Sequence, residues 1–370
     1  MAIFTDLTPD PGPRRRSTGW IGWSILGVAL VGVTVVALVP APYVIEQPGP
    51  VYNTLGAVKI DGSDVQMIQI PSEKTYPTDG TLDMLTVSVR GNRENLPNWL
   101  EIASAYFDPS KAVVPIDAIY PVGVTVEESN KQGEVDMQNS QKEAIAAALT
   151  ELGYNFTSSL TVVGTQPDSP ADGILDADDV IVSVNGKSFT DVTGLRGEIA
   201  ANGTDSPAEI DIVRDGKPMT LDITPVLSAG DDPTPIVGIT VGGDYQFPFD
   251  VKIQLDNVGG PSAGMMFALG IIDKLTPDAL NGGQDVAGTG TISATGDVGP
   301  IGGIRQKLYG ARDAGAEWFL APESNCNEVT GHIPAGLTVF AVKTLDDSLA
   351  ALAAIKSGGD TSSLPTCPAG

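Results

Sequence analysis

An uncharged run of 20 residues, Trp20 to Val39 (WIGWSILGVALVGVTVVALV), constrains this chain more than any other feature. At about 1.5 Å rise per residue, such a helix spans a hydrocarbon core of about 30 Å. Trp20 and Trp23 lie at one end, where indole rings favour the membrane interface. Arg14, Arg15 and Arg16 precede the run, and the next basic residue is Lys59. That asymmetry predicts a single-pass transmembrane helix at 20–39, a cytoplasmic tail at 1–19 and an extracytoplasmic bulk. The alternative is a cleaved signal peptide, whose apolar core is shorter and ends at a small-residue site. Val39-Pro40-Ala41-Pro42 is a poor site of that kind.

The remaining chain is long enough for two or three domains. A formal net charge of -25 argues against a nucleic-acid partner, because phosphates demand a basic surface. The two cysteines, Cys326 and Cys367, form a disulfide candidate if the bulk is extracytoplasmic; otherwise they are separate thiols. No clustering of His, Cys and carboxylates suggests a metal site, and no cofactor is expected.

Residues 40–119 read as an extracytoplasmic β-rich region, with a strand in 80–90 and a short helix in 98–107. Ser140 to Leu152 predicts a helix, with Ser140 as cap and Glu143 completing a capping box. Residues 120–227 change character: alternating Val180, Val182 and Val184 lead to an Asn185-Gly186 turn, then a helix from Asp191 and a hairpin around residues 214–217. Tyr120 to Val126 reads as a first strand for this unit. After a polar linker from Ser228, strands alternate with helices through residue 356, and 357–370 forms a tail. The fold class expected is α+β.

The segment SPADGILDADDVIVSVNG, at 169–186, resembles a PDZ domain. The resemblance implies an extended peptide bound as an added strand beside a helix. A structural β-domain without ligand is the plainer alternative. Gly186-Lys187-Ser188 resembles the end of a phosphate-binding loop, but Ile181 stands where that loop requires glycine.

Two further motifs carry chemistry. Gly259-Gly260-Pro261-Ser262-Ala263-Gly264 stands between a strand-like run and an apolar helix, so backbone N–H groups near Ser262 are suited to holding an oxyanion. Ser262 serves equally as a helix cap. Lys307 borders the apolar face set by Ile304, Leu308 and Ala311. Dehydration there lowers a lysine's pKa toward that of a general base, whereas an ordinary lysine snorkels to solvent. His332 is the sole histidine, which leaves a Ser-His-Asp triad only one base to draw on.

GGPSAG around Ser262, AGTGTI at 287–292 and GDVGPIGGIRQKLYGARDAGAEWFLAP at 296–322 resemble the proteolytic domain of the Lon family. The resemblance implies Ser262 as nucleophile, Lys307 as its base, and Thr289 as a hydrogen-bonding support beside the lysine. Gly260, Pro261 and Ala263 would support the nucleophile. Gly259 departs from the aspartate usual at that position. With the preceding segments, the chain resembles bacterial membrane-anchored, PDZ-containing Lon-like proteases that lack an ATPase module. That implies an ATP-independent serine endopeptidase acting on unfolded or recruited proteins, with hexamers as a homo-oligomer expectation. A PDZ scaffold with an inactive Lon-like domain is the alternative.

Overall fold

The computed structural model describes residues 19–120, 123–228, 233–256, 258–358 and 361–368. Helix α1 (Gly19–Leu38) leads into strand β1 (Tyr43–Asn53). Strand β2 (Thr81–Arg90), helix α2 (Trp99–Tyr106) and strand β3 (Ala112–Pro115) follow. Next come α3 (Val126–Glu151), β4 (Thr157–Thr165), β5 (Val180–Val184) and α4 (Val192–Asn202). The hairpin β6 (Ala208–Arg214) and β7 (Lys217–Ile223) precedes β8 (Ile239–Gln246). The last third comprises α5 (Gly264–Leu275), β9 (Asp285–Gly288), α6 (Ile304–Asp313), β10 (Trp318–Pro322), β11 (Thr338–Val342) and α7 (Leu345–Ser357).

Six strands form one mixed sheet in the order β11-β10-β9-β2-β1-β3. The 40–119 region is therefore not a unit of its own: β1, β2 and β3 complete the sheet begun by the C-terminal third. β2 joins β9 in parallel through Asp285↔Thr81 to Gly288↔Met84, and β1 lies antiparallel on its other side. Side chains alternate along each strand, so the sheet has two apolar faces. Leu82, Met84, Val286, Leu320 and Phe340 pack with Phe267, Leu269 and Ile271 of α5 and with α3 and α7. Leu85, Ala287, Phe319 and Val339 pack with Ile304, Leu308 and Ala311 of α6. The sheet thus separates the helix that follows Ser262 from the helix that carries Lys307.

A second, antiparallel sheet has the order β7-β6-β5-β4-β8, with its own core of Leu160, Val162, Leu195, Ile210 and neighbours. Its limits are offset from the expected 120–227. α3 sends Met137, Ala144, Ala148 and Leu149 into the other core, and β8, beyond residue 227, closes the sheet by pairing with β4. The expected first strand at 120–126 is replaced by a turn and the start of α3, with residues 121 and 122 outside those described. The Ser140 capping box is likewise corrected. Thr125 and Glu128 make the reciprocal cap, 15 residues earlier, while Ser140 and Glu143 are buried inside the helix.

The 1–19 tail lies, but for Gly19, outside the described residues, as do the side chains at positions 21, 22, 33–36 and 38 within α1. Among the described residues, no helix is long and apolar enough to cross a membrane. The described side chains of α1 that face outward include Trp20, Trp23, Ile25 and Val28.

At the other end, Cys326 and Cys367 are joined by a disulfide that closes a separation of 41 residues. The tail it fixes runs along β11, where Ala341 N donates to Pro365 O and Thr366 bridges Phe340.

Candidate active site

Lys307 Nζ donates to Ser262 Oγ at 2.7 Å, across 45 residues of sequence. The two meet because β9 stops short. It covers β2 only as far as Met84, and the chain then turns away through Thr289 and Gly290 toward Ser262. Beyond that point, among the described residues, no strand stands between the α5 layer and the α6 layer, so side chains from opposite faces of the sheet reach each other.

Ser262 does not cap α5. The helix starts at Gly264, its N-cap Ala263 makes no side-chain cap bond, and the Ser262 hydroxyl is turned to the lysine instead. Its carbonyl accepts from Gly290 N at 2.9 Å and from Thr289 Oγ1 at 2.9 Å. Lys307 leaves α6 after a left-handed Gly303, is only 2% exposed and donates also to Thr289 Oγ1 at 3.0 Å. Burial pushes its ammonium down to about 7 from an ordinary value of 10.5, since the charged form loses hydration with no carboxylate to replace it.

Thr289 sets the direction of this contact. Its hydroxyl proton is spent on the Ser262 carbonyl, so toward Lys307 it can only accept. It holds one amine hydrogen and leaves the lone pair of a neutral amine available for the Ser262 proton.

The expected supports divide. Gly260 takes φ +86, a left-handed conformation that glycine adopts without strain, but its N–H is engaged by Gly133 O at 2.9 Å. Pro261 has no N–H, and its carbonyl accepts from Ser140 Oγ at 2.8 Å. Among the described residues, the N–H groups of Ser262 and Ala263 have no acceptor, and they are the donors best placed for an oxyanion. Gly259 sits where a side chain has little room: a Cβ there would stand 3.3 Å from the Gly133 backbone. His332 is engaged locally with Thr330 O, and Lys187 pairs with Glu198, so neither enters the site.

A cleft of about 490 Å³ opens onto Ser262 and Lys307, walled by Tyr52, Thr86, Val87, Ser88 and Met137. Its β2 wall carries a free edge. From Leu85 to Arg90, β2 pairs with β1 on one side and has no strand on the other among the described residues. A second cavity, about 580 Å³, lies between α4, residues 234–241 and the polar face of α3. Among the described residues no cluster of His, Cys, Asp and Glu could hold a metal ion.

Sequence reasoning missed the α3 residues behind the site: Gly133, Asn139, Ser140 and Glu143. Glu143 accepts from Val192 N and from Thr193 N and Oγ1 at the start of α4. Burial, then the Asp191 charge, pushes its carboxyl up to about 7. The available signal was the pairing of glycines at 133 and 259, which makes sense only where two backbones touch.

The sequence has known counterparts. The Lon protease (S16) C-terminal proteolytic domain matches residues 257–354, and the PDZ domain matches residues 122–224. The chain carries a Lon-type proteolytic domain and a PDZ domain. It is 29% identical over 173 residues to a Lon protease of Campylobacter concisus, covering 45% of this chain and 21% of that one. It is 42% identical over 107 residues to Lon protease 2 of Herpetosiphon aurantiacus, covering 27% and 13%. The chain thus spans about a fifth or less of the curated relatives it matches. Among solved structures, the PDZ domain of the SdrC-like protein Lmo2051 from Listeria monocytogenes is 26% identical, with a TM-score of 0.20, covering 22% of this chain and 85% of that one.

Proposed function

We propose that this protein is an ATP-independent serine endopeptidase of Lon type, in which Ser262 is the nucleophile and Lys307 its general base. The observation that carries the reading is the 2.7 Å contact between the two, made inside a dehydrated pocket. The neutral amine of Lys307 takes the Ser262 proton as Oγ attacks the scissile carbonyl carbon. The oxyanion so formed faces the N–H groups of Ser262 and Ala263. Collapse of the tetrahedral intermediate breaks the C–N bond, and Lys307 returns its proton to the departing amine. Water, deprotonated by the same lysine, then releases the acyl group from Ser262.

The free edge of β2 beside Ser262 suits a substrate in extended form, which would add main-chain hydrogen bonds along Leu85 to Ser88. That geometry favours unfolded protein segments. The cavity between α4 and residues 234–241 is the place for a peptide held by the PDZ domain. The uncharged sequence from Trp20 to Val39, with Arg14, Arg15 and Arg16 before it, favours a single-pass anchor with the catalytic bulk outside the membrane. A scaffold with a silent Lon-like domain is the competing reading. The dehydrated lysine in contact with Ser262 counts against it, because burying an amine costs stability that a scaffold has no need to bear.

Cleavage of an unstructured protein checks the reading. The acylation rate should rise with pH through a midpoint near 7, because only the neutral amine accepts the proton. ATP with magnesium should leave the rate unchanged, and Ser262→Ala should abolish it. A Ser262→Ala protein that still cleaves would remove the assignment.

A further inference from the structure

Helix α3 holds the nucleophile turn at two points. Gly133 O accepts from Gly260 N, and seven residues later Ser140 Oγ donates to Pro261 O. A spacing of seven puts both groups on one face, two turns apart. The approach is close because glycines line both sides. A Cβ on Gly264 would lie 2.8 Å from Ser140 Oγ, and one on Gly259 would meet the Gly133 backbone. The segment so held, with glycines at 259 and 260, has little stiffness of its own.

The adjacent flank of α3 is held by β8, the strand that closes the second sheet on β4. Asn139 Nδ2 donates to Val241 O at 2.7 Å, and its Oδ1 accepts from Gly243 N at 3.3 Å, so one amide grips the β8 backbone in both directions. Lys142 Nζ reaches Gly243 O, and Thr240 Oγ1 donates to Gln132. Asn139 and Ser140 are therefore neighbours in sequence with opposite duties. One reads the position of β8, and the other fixes the carbonyl just before Ser262.

We propose that Ser140 is a positioning residue for Ser262, and that through Asn139 the placement of α3 against β8, the strand that closes the second sheet, sets the contact between Ser262 and Lys307. This deepens the peptidase reading and rests on it. Without the Ser140 hydroxyl, the Pro261 carbonyl keeps only the longer bond from Gly264 N at 3.4 Å, and the turn gains room to swing away from the lysine. The pocket around Lys307 then admits water.

The test uses the full chain in wild-type, Ser140→Ala and Asn139→Asp forms. The Asn139→Asp change keeps the size but removes the donor to Val241 O. Lysines carrying 13C at Cε report the titration of Lys307 by NMR, with Lys307→Met to assign the resonance. An alkyl fluorophosphonate, which phosphonylates Ser262 with loss of fluoride, reports the reactivity of that hydroxyl against pH, and melting curves confirm folding. Ser140→Ala should raise the Lys307 midpoint by about one pH unit or more. It should also slow phosphonylation about 10- to 100-fold at neutral pH with little change in KM for a peptide substrate. Asn139→Asp should move both in the same direction. Folded Ser140→Ala with an unchanged Lys307 midpoint and rate would overturn the positioning role. A shifted Ser140→Ala beside an unmoved Asn139→Asp would overturn the link to β8. The Lys307 titration needs no turnover, so a wild-type protein inert toward the probe would sink the peptidase reading while the Ser140 claim is still decided.

Discussion

Lys307→Met is expected to remove at least about 10³-fold of the acylation rate and, in the same protein, to raise the melting temperature. The first effect follows from the loss of the base in contact with Ser262 Oγ. The second follows from burial. An amine with a folded-state pKa near 7 and an ordinary value of 10.5 binds fewer protons folded than unfolded between those limits. Stability of the wild-type protein therefore rises with pH across that window, and the cost of the lysine is complete below about 7. Every tenfold loss of proton affinity on folding corresponds to about 1.4 kcal/mol, and the lost bonds to Ser262 and Thr289 offset part of the gain. A net gain of about 1–3 kcal/mol near pH 7 is expected, because methionine fills similar space with no charge to dehydrate. The gain should shrink as pH rises toward 10.5. Melting curves of both proteins between about pH 6 and 10 check this, and a variant less stable than wild type at about pH 6 would contradict it.

Breaking the Cys326–Cys367 bridge is the second large effect expected. Closing a separation of 41 residues removes chain entropy from the unfolded state worth about 4 kcal/mol in the loop-closure treatment. The bridge also secures the strand-like tail against β11, with Cys367 buried beside Phe319 and Val339. Cys326→Ser with Cys367→Ser, or reduction by dithiothreitol, should lower the melting temperature by several degrees and expose the tail to proteolysis. The dyad lies on other elements, so acylation of the protein that stays folded should persist. An unchanged melting temperature after verified reduction would show that the bridge carries no stability.

The chemistry was legible in the sequence because its residues sit in short motifs whose composition serves no packing need. Ser262 after two glycines and a proline and Lys307 on the rim of an apolar face could be read locally as candidates, each with a plainer role beside it, and the resemblance to Lon-type motifs paired them and added Thr289. The surrounding architecture was not local. β2 and β9 pair in parallel across about 200 residues, and nothing within either strand specifies that partner. α3 was half missed because its first turns are polar: the buried stretch from Ser140 was read as a helix, and the exposed turns from Val126 carry no apolar stripe to extend it. Ser140 and Glu143 have the spacing of a capping box, yet Thr125 and Glu128 offer the same signature where the backbone N–H groups are unpaired. The strand β8 was read into the proteolytic domain for a similar reason. Its sequence says strand, and only the register with β4 says which sheet.

Acid-quenched mass spectrometry during cleavage of an unstructured protein reports the central chemistry directly. The peptide containing Ser262 should carry a transient acyl adduct, absent from Ser262→Ala and from Lys307→Met, whose rate of formation grows as pH is raised through about 7. Proteolysis that proceeds with no adduct on Ser262, or an adduct that forms as readily in Lys307→Met, would contradict the account.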